Sequence, residues 1–119
     1  LGIELCTEGK GVMVTQVVPF PGDTSVPIVA EYNRTLHTLI SAQSPISYGS
    51  LEGFIAARIF VEGLRQAGRN LTRDRLRAAL DSFNDLDLGG FRLSWSEQSH
   101  QGSDFVYIST IGDQDRWLY

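Results

Sequence analysis

The stretch that most constrains this chain is residues 47–68, SYGSLEGFIAARIFVEGLRQAG, which carries its longest and most apolar helical signal. Leu51, Phe54, Ile55, Ile59, Phe60, Val61, Leu64 and Ala67 wrap most of the circumference. The polar residues Arg58, Glu62, Arg65, Gln66 and Arg69 follow at steps of four, three, one and three, drawing one narrow wet stripe. A helix that is dry on most sides has to be covered on most sides. The spacing therefore predicts a central helix. Gly49 and Gly53 remove side chains at its entry, which lets another backbone come close or the chain bend.

Composition sets the class around that helix. The 119 residues are 42% apolar and 20% charged, values of an ordinary folded domain with a real core. A net charge of −4, a single lysine (Lys10) and no basic cluster argue against nucleic acid as a partner. No apolar run approaches the ~20 residues that a membrane helix needs. The chain starts at Leu1 without a signal-peptide pattern, as expected of a processed protein or an excised piece. Cys6, the lone cysteine, excludes an internal disulfide and gives no metal spacing.

Residues 1–6 resemble a truncated helix end, with Gly9 and Gly11 as a turn. Residues 12–18, VMVTQVV, are nearly continuously apolar and β-branched, which predicts a strand buried on both faces of a mainly parallel sheet. Pro19-Phe20-Pro21-Gly22 ends it, because proline cannot donate to a ladder. Asp23, Thr24 and Ser25 offer caps for an amphipathic helix whose core stripe is Val29, Tyr32, Leu36, Leu39 and Ile40. A linker at 41–47 leads into the central helix, which Gly68 closes. Thr72 caps a third helix that buries Leu76, Ala79, Leu80 and Phe83, and residues 85–90 form a turn. From Phe91 the period falls to about two. Phe91, Leu93 and Trp95 alternate, as do Phe105 and Tyr107, so a hairpin across the polar loop 96–104 is the natural reading. A turn at 113–115 precedes a short strand at 116–119. The inner strand 12–18 has only antiparallel, distant candidates for pairing, so the chain reads like part of a larger α/β protein.

No catalytic arrangement survives inspection. In Gly49-Ser50-Leu51-Glu52-Gly53 the serine is second, not central as a nucleophile elbow requires. His37 and His100 read as solvated side chains and, with Cys6, give no metal-ligand spacing. Asp85 and Asp87 lack the calcium loop's closing glutamate, and Gly9-Lys10-Gly11 precedes a strand where a phosphate cradle follows one. Asn33-Arg34-Thr35 and Asn70-Leu71-Thr72 match the glycosylation sequon. The residues that remain are binding candidates. Pro19 and Phe20 lie just past the carboxyl end of the predicted strand, where open α/β sheets present ligand loops. Tyr48 stands at the mouth of the central helix with a hydroxyl that could face a cleft.

In order, VTQVVPFP, PIVAEY, SYGSLEGFIAARIFVEGLRQAG, LTRDRLRAAL, DLGGFRLSWS and GSDFVYISTIG resemble the C-terminal part of the periplasmic branched-chain amino-acid-binding proteins, the type I solute-binding components of ABC transporters. The resemblance covers essentially the whole chain. It implies a two-lobed α/β fold, incomplete here, with helices on a mainly parallel sheet and a C-terminal β-hairpin. Residues 1–46 would belong to the second lobe. Residues 47–119 would supply the crossover, central helix, third helix and terminal hairpin, packing with the first lobe or hinge. Implied partners are a small amino acid or related carboxylate and a membrane permease; no cofactor, metal or enzymatic turnover is implied. The implied location is periplasmic, or extracellular and membrane-associated in Gram-positive-type cells. Only Pro19, Phe20 and Tyr48 would border the cleft. A ligand-sensing receptor ectodomain of the same fold is the alternative. By itself the chain is expected to self-associate or swap elements.

Overall fold

The computed structural model describes residues 10–41, 43–112 and 117–118. The expected helix end at 1–6 with Cys6, Gly9, Ala42 of the linker, the turn at 113–115, Arg116 and Tyr119 lie outside the described residues. In chain order the elements are β1 (Met13–Gln16), α1 (Pro27–Leu39), α2 (Tyr48–Ala67), α3 (Arg73–Asp81), β2 (Leu86–Asp87), β3 (Arg92–Leu93), β4 (Tyr107–Ile111) and β5 (Trp117–Leu118). They fall into two compact units, Leu1–Val18 with Phe105–Tyr119, and Pro19–Asp104.

The first unit holds a three-stranded sheet of order β1-β4-β5, antiparallel throughout. Met13 stands opposite Thr110 and Thr15 opposite Ile108, so these four share one face. That face is open, with Met13 71% and Ile108 57% exposed. The opposite face holds Ser109, which is 1% exposed and donates from Oγ to the Val14 carbonyl at 3.4 Å. The expected burial on both faces is not met among the described residues, and β1 pairs with an antiparallel, sequence-distant partner of the kind the sequence offers. Parallel pairing needs a crossover that returns the chain in the same direction, and the helices here lead instead to a separate ladder. One face of β1 is consequently uncovered among the described residues. β4 also pairs antiparallel with β5, Thr110 opposite Leu118 and Ile111 opposite Trp117, which is not the hairpin expected across residues 96–104.

The second unit is built on α1, α2 and α3. Ser47 caps α2, its Oγ accepting the Ser50 N–H at 3.2 Å, and Gly68 closes it at φ +76° and ψ −170°, a region that belongs to glycine. Thr72 Oγ1 likewise accepts the Arg75 N–H at 3.2 Å to start α3. Gly63 is buried where α2 meets α3; a Cβ there would lie 2.7 Å from Leu80 Cδ2, so the missing side chain sets how closely the helices approach. Coverage of α2 is narrower than its composition predicts. Only Leu51, Ile55 and Gly63 are buried, while Phe60 stays 51% exposed and Val61 is exposed too. The core of this unit gathers Ile28, Val29, Tyr32, Leu51, Ile55, Ala79, Phe83, Leu88, Phe91 and Leu93. Each large apolar side chain so buried contributes roughly 1.5–3 kcal/mol.

Two local expectations change. The N-cap of α1 is Val26, with no side-chain cap, because Asp23 accepts instead from the Ser25 N–H (3.1 Å) and hydroxyl (2.6 Å). The Ile28 N–H donates to the Gly89 carbonyl at 3.0 Å, so a turn far along the chain satisfies the helix start. That turn belongs to the second change: Arg92–Leu93 pairs with Leu86–Asp87, not with residues near Tyr107. Gly89 and Gly90 hold φ of +95° and +83°, which makes the tight β2–β3 hairpin possible. Beyond it Trp95 packs on Phe83, ring centroids 6.2 Å apart, and the Trp95 backbone N–H donates to the Phe83 carbonyl at 2.8 Å.

Candidate binding site at the aromatic pair

The two prolines of the 19–22 loop fix their own φ and lack N–H groups, so the loop's shape depends on few internal bonds. Pro19 and Pro21 are buried and Phe20 is half-buried. The Asp23 N–H donates to the Phe20 carbonyl at 3.0 Å, closing a turn with Gly22 inside it. A Cβ on Gly22 would lie 2.7 Å from Phe20 Cε1. A side chain at this position would therefore displace the ring.

Tyr48 is the first residue of α2 and is half-buried, its hydroxyl oxygen shielded from solvent. Phe20 and Tyr48, separated by α1 in sequence, meet with ring centroids 6.2 Å apart and planes tilted by 52°. Such tilted pairs are favourable because the positive edge of one ring faces the negative face of the other. Pro19 precedes Phe20 and is buried, so the surface offered by this trio is aromatic.

Residues that sequence reasoning assigned elsewhere, or not at all, support the pair. Tyr32, read as a core position, is 2% exposed, and its hydroxyl lies 2.5 Å from Ser50 Oγ and accepts the Ser47 N–H at 3.3 Å. Ser47 and Ser50 hydroxyls sit 2.9 Å apart. Asn33, matched above as a sequon, donates from Nδ2 to the Pro21 carbonyl (2.8 Å) and the Val29 carbonyl (3.0 Å). Hydrophobic periodicity could flag Tyr32, but no local pattern identifies the partners of either residue.

Other candidates have structural employment. A cleft of about 250 Å³ between α1 and α2 is lined by Tyr32, Leu36, Leu39, Ile40, Ser50 and Phe54. A larger hollow of about 670 Å³ includes Glu62, Arg65, Asp85 and Asp87. Its charges pair locally: Arg65 with Glu62 at 2.6 Å, and Arg92 with Asp85 and, at 3.5 Å, with Asp87. The Gly90 and Gly89 N–H groups, and then the Arg92 charge, hold the Asp87 carboxyl below the usual carboxylate range. Its Oδ1 accepts from both glycines, at 2.7 and 2.8 Å. Bonding to Asp85 and its charge raise Arg92 further. His37 is exposed, and His100 Nε2 lies 3.6 Å from Asp81. Among the described residues no group of three or more His, Cys, Asp or Glu could hold a metal ion. No helix there is long and apolar enough to cross a membrane.

A family model described as periplasmic binding protein matches residues 6–116, nearly the whole chain. The chain belongs to the periplasmic binding proteins. Solved structures agree on the fold. A substrate-binding periplasmic protein from Ralstonia solanacearum matches with a TM-score of 0.85 and 29% identity over 98% of this chain and 35% of its own. An extracellular ligand-binding receptor from Verminephrobacter eiseniae matches with a TM-score of 0.81 and 28% identity, over 93% and 31%. A possible leucine/isoleucine/valine-binding protein from Rhodopirellula baltica gives 0.80 and 33%, over 93% and 30%. Among curated proteins there is no match to the chain. This periplasmic binding protein chain thus has part of the type I α/β fold and spans about a third of the length of the solved structures it resembles. Family and neighbours indicate a periplasmic or extracellular location.

Proposed function

We propose that this chain is part of the extracytoplasmic solute-binding component of an ABC importer, taking a small amino acid or related carboxylate by closure of two lobes. The observation that carries the reading is the family match over residues 6–116, joined by a neighbour named for leucine, isoleucine and valine. Lobe closure works because ligand contacts made with both lobes favour the closed state. Such binding needs no nucleophile, and the partner is a membrane permease. Phe20 and Tyr48, with Pro19 behind them, border the cleft in this reading and give an apolar wall for an aliphatic side chain. The resemblance placed residues 1–46 in the second lobe and 47–119 in the crossover and first-lobe region.

The test is a thermal-shift screen of the full-length protein containing this chain, against amino acids and small carboxylates. A ligand that binds only the folded state adds ~2.7 kcal/mol at a hundredfold excess over its Kd. A shift with branched-chain amino acids is the expected result, and a flat panel from a well-folded protein overturns it. The receptor named among the neighbours favours one second reading, a sensor ectodomain. A membrane anchor and cytoplasmic signalling domain encoded in the same gene would decide for it.

A further inference from the structure

Two consecutive residues of α1 each bond to one of the segments that carry the aromatic pair. Asn33 Nδ2 holds the Pro21 carbonyl at 2.8 Å, immediately after Phe20. The Tyr32 hydroxyl receives the Ser47 N–H at 3.3 Å, immediately before Tyr48, and lies 2.5 Å from Ser50 Oγ in the first turn of α2. The Asn33 amide is also anchored to its own helix through the Val29 carbonyl at 3.0 Å, so it cannot swing freely. Tyr32 is 2% exposed and its ring is fixed against Phe54, centroids 5.8 Å apart. One rigid helix therefore grips both ring-bearing segments through neighbouring side chains.

We propose that Tyr32 and Asn33 are positioning residues that set the spacing and tilt of the Phe20–Tyr48 wall, and through it the affinity for solute. The inference rests on the reading above, in which that wall borders the ligand cleft. Its physical basis is that a recognition surface must be held to a fraction of an ångström by supporting bonds. The two prolines of the 19–22 loop stiffen its backbone but offer no N–H there, so beyond its own turn bonds the loop is tied to the helices through acceptors such as the Pro21 carbonyl. The bond from Asn33 supplies a fixed point beside Phe20. On the other side, the Tyr32 hydroxyl fixes the backbone at the start of α2, which a helix cap alone leaves free to pivot.

The experiment uses the full-length protein containing this chain, with Tyr32→Phe and Asn33→Ala made singly. Tyr32→Phe keeps the ring packed on Phe54 and removes only the hydroxyl, so it is the variant better able to fold. The first readout needs no ligand: the nuclear Overhauser contact between the Phe20 and Tyr48 rings in the unliganded protein. It is expected to weaken or split in each folded variant; an unchanged contact in both overturns the proposal. The second readout is the Kd for L-leucine, L-isoleucine and L-valine, measured well below each variant's Tm. About tenfold weaker binding of whichever of these the wild type takes is expected, ~1.4 kcal/mol by the affinity relation. A lower Tm with unchanged Kd would show a purely structural role and overturn the proposal. If the wild type binds none of the three, the amino-acid reading fails while the ring contact still decides whether Tyr32 and Asn33 position the pair.

Discussion

A methyl group at position 22 would sit 2.7 Å from the Phe20 ring, so Gly22→Ala has to turn the ring or move the loop. In the full-length protein this substitution is expected to weaken solute binding severalfold, read as Kd by calorimetry. Stability should change by no more than about 1 kcal/mol, since a half-buried ring can yield and alanine restricts the unfolded chain. Gly102 presents a harder case: a Cβ there would meet the Trp95 ring at 2.5 Å, and that ring packs on Phe83. Gly102→Ala is expected to cost about 1–3 kcal/mol, followed by tryptophan fluorescence in urea. Asp87 gives a pH signature. Its folded carboxyl titrates below the unfolded value of about 3.9, so its stabilisation is present above that pH and is lost as pH falls through the folded value. The stability difference between wild type and Asp87→Asn should therefore shrink as pH drops below about 4. A difference that stays constant down to the acid transition would count against this account.

At the scale of elements, Ser47→Ala removes the cap of a 20-residue helix and one partner of the Ser50 hydroxyl, at an expected cost of about 1 kcal/mol. Chemical denaturation measures it directly. The limits of α2 and α3 were legible because their signals are local: Ser47 and Thr72 bond to N–H groups three residues on, and Gly68 supplies a conformation other residues avoid. Pairing was not legible. Phe91-Arg92-Leu93 reads as a strand, but its choice of Leu86–Asp87 over a later segment depends on the two positive-φ glycines closing a tight turn. The run 12–18 looked buried because every position but Gln16 is apolar or β-branched, yet periodicity reports what a strand can bury and not what lies beside it. The same gap explains the site. Phe20 and Tyr48 stood out individually as loop and helix-entry aromatics, whereas their contact, and the parts of Gly22 and Asn33 in it, depend on how α1 folds back between them.

For the molecule as a whole, uncovered apolar surface is the main feature. Met13, Val17, Val106 and Ile108 are each more than half exposed, as is Phe60 on α2, and β1 ends its sheet among the described residues. Surface of this kind on a strand edge invites pairing with other chains. The 119-residue chain produced alone is expected to elute in size-exclusion chromatography with light scattering as a dimer or larger species. A monomer that unfolds cooperatively would contradict this. The solved relatives are about three times longer, and the same residues are expected to be protected from solvent in the full-length protein.

The bond from the Ile28 N–H to the Gly89 carbonyl also has a consequence in time. A helix normally satisfies its first donors from residues next door, as soon as it nucleates. Here the acceptor lies beyond two further helices, so during synthesis α1 emerges long before the atom that completes it. Closing so long a loop is an entropic barrier that local helix formation does not face. The first turn of α1 should therefore stay frayed until the β2–β3 hairpin docks, and the two should form and open as one cooperative unit. In native-state hydrogen exchange of the full-length protein, the Ile28 amide is expected to share the opening free energy of the Leu88 amide, which donates to the Phe91 carbonyl within the hairpin. Protection matching the middle of α1 instead would mean that the helix start folds without its distant partner.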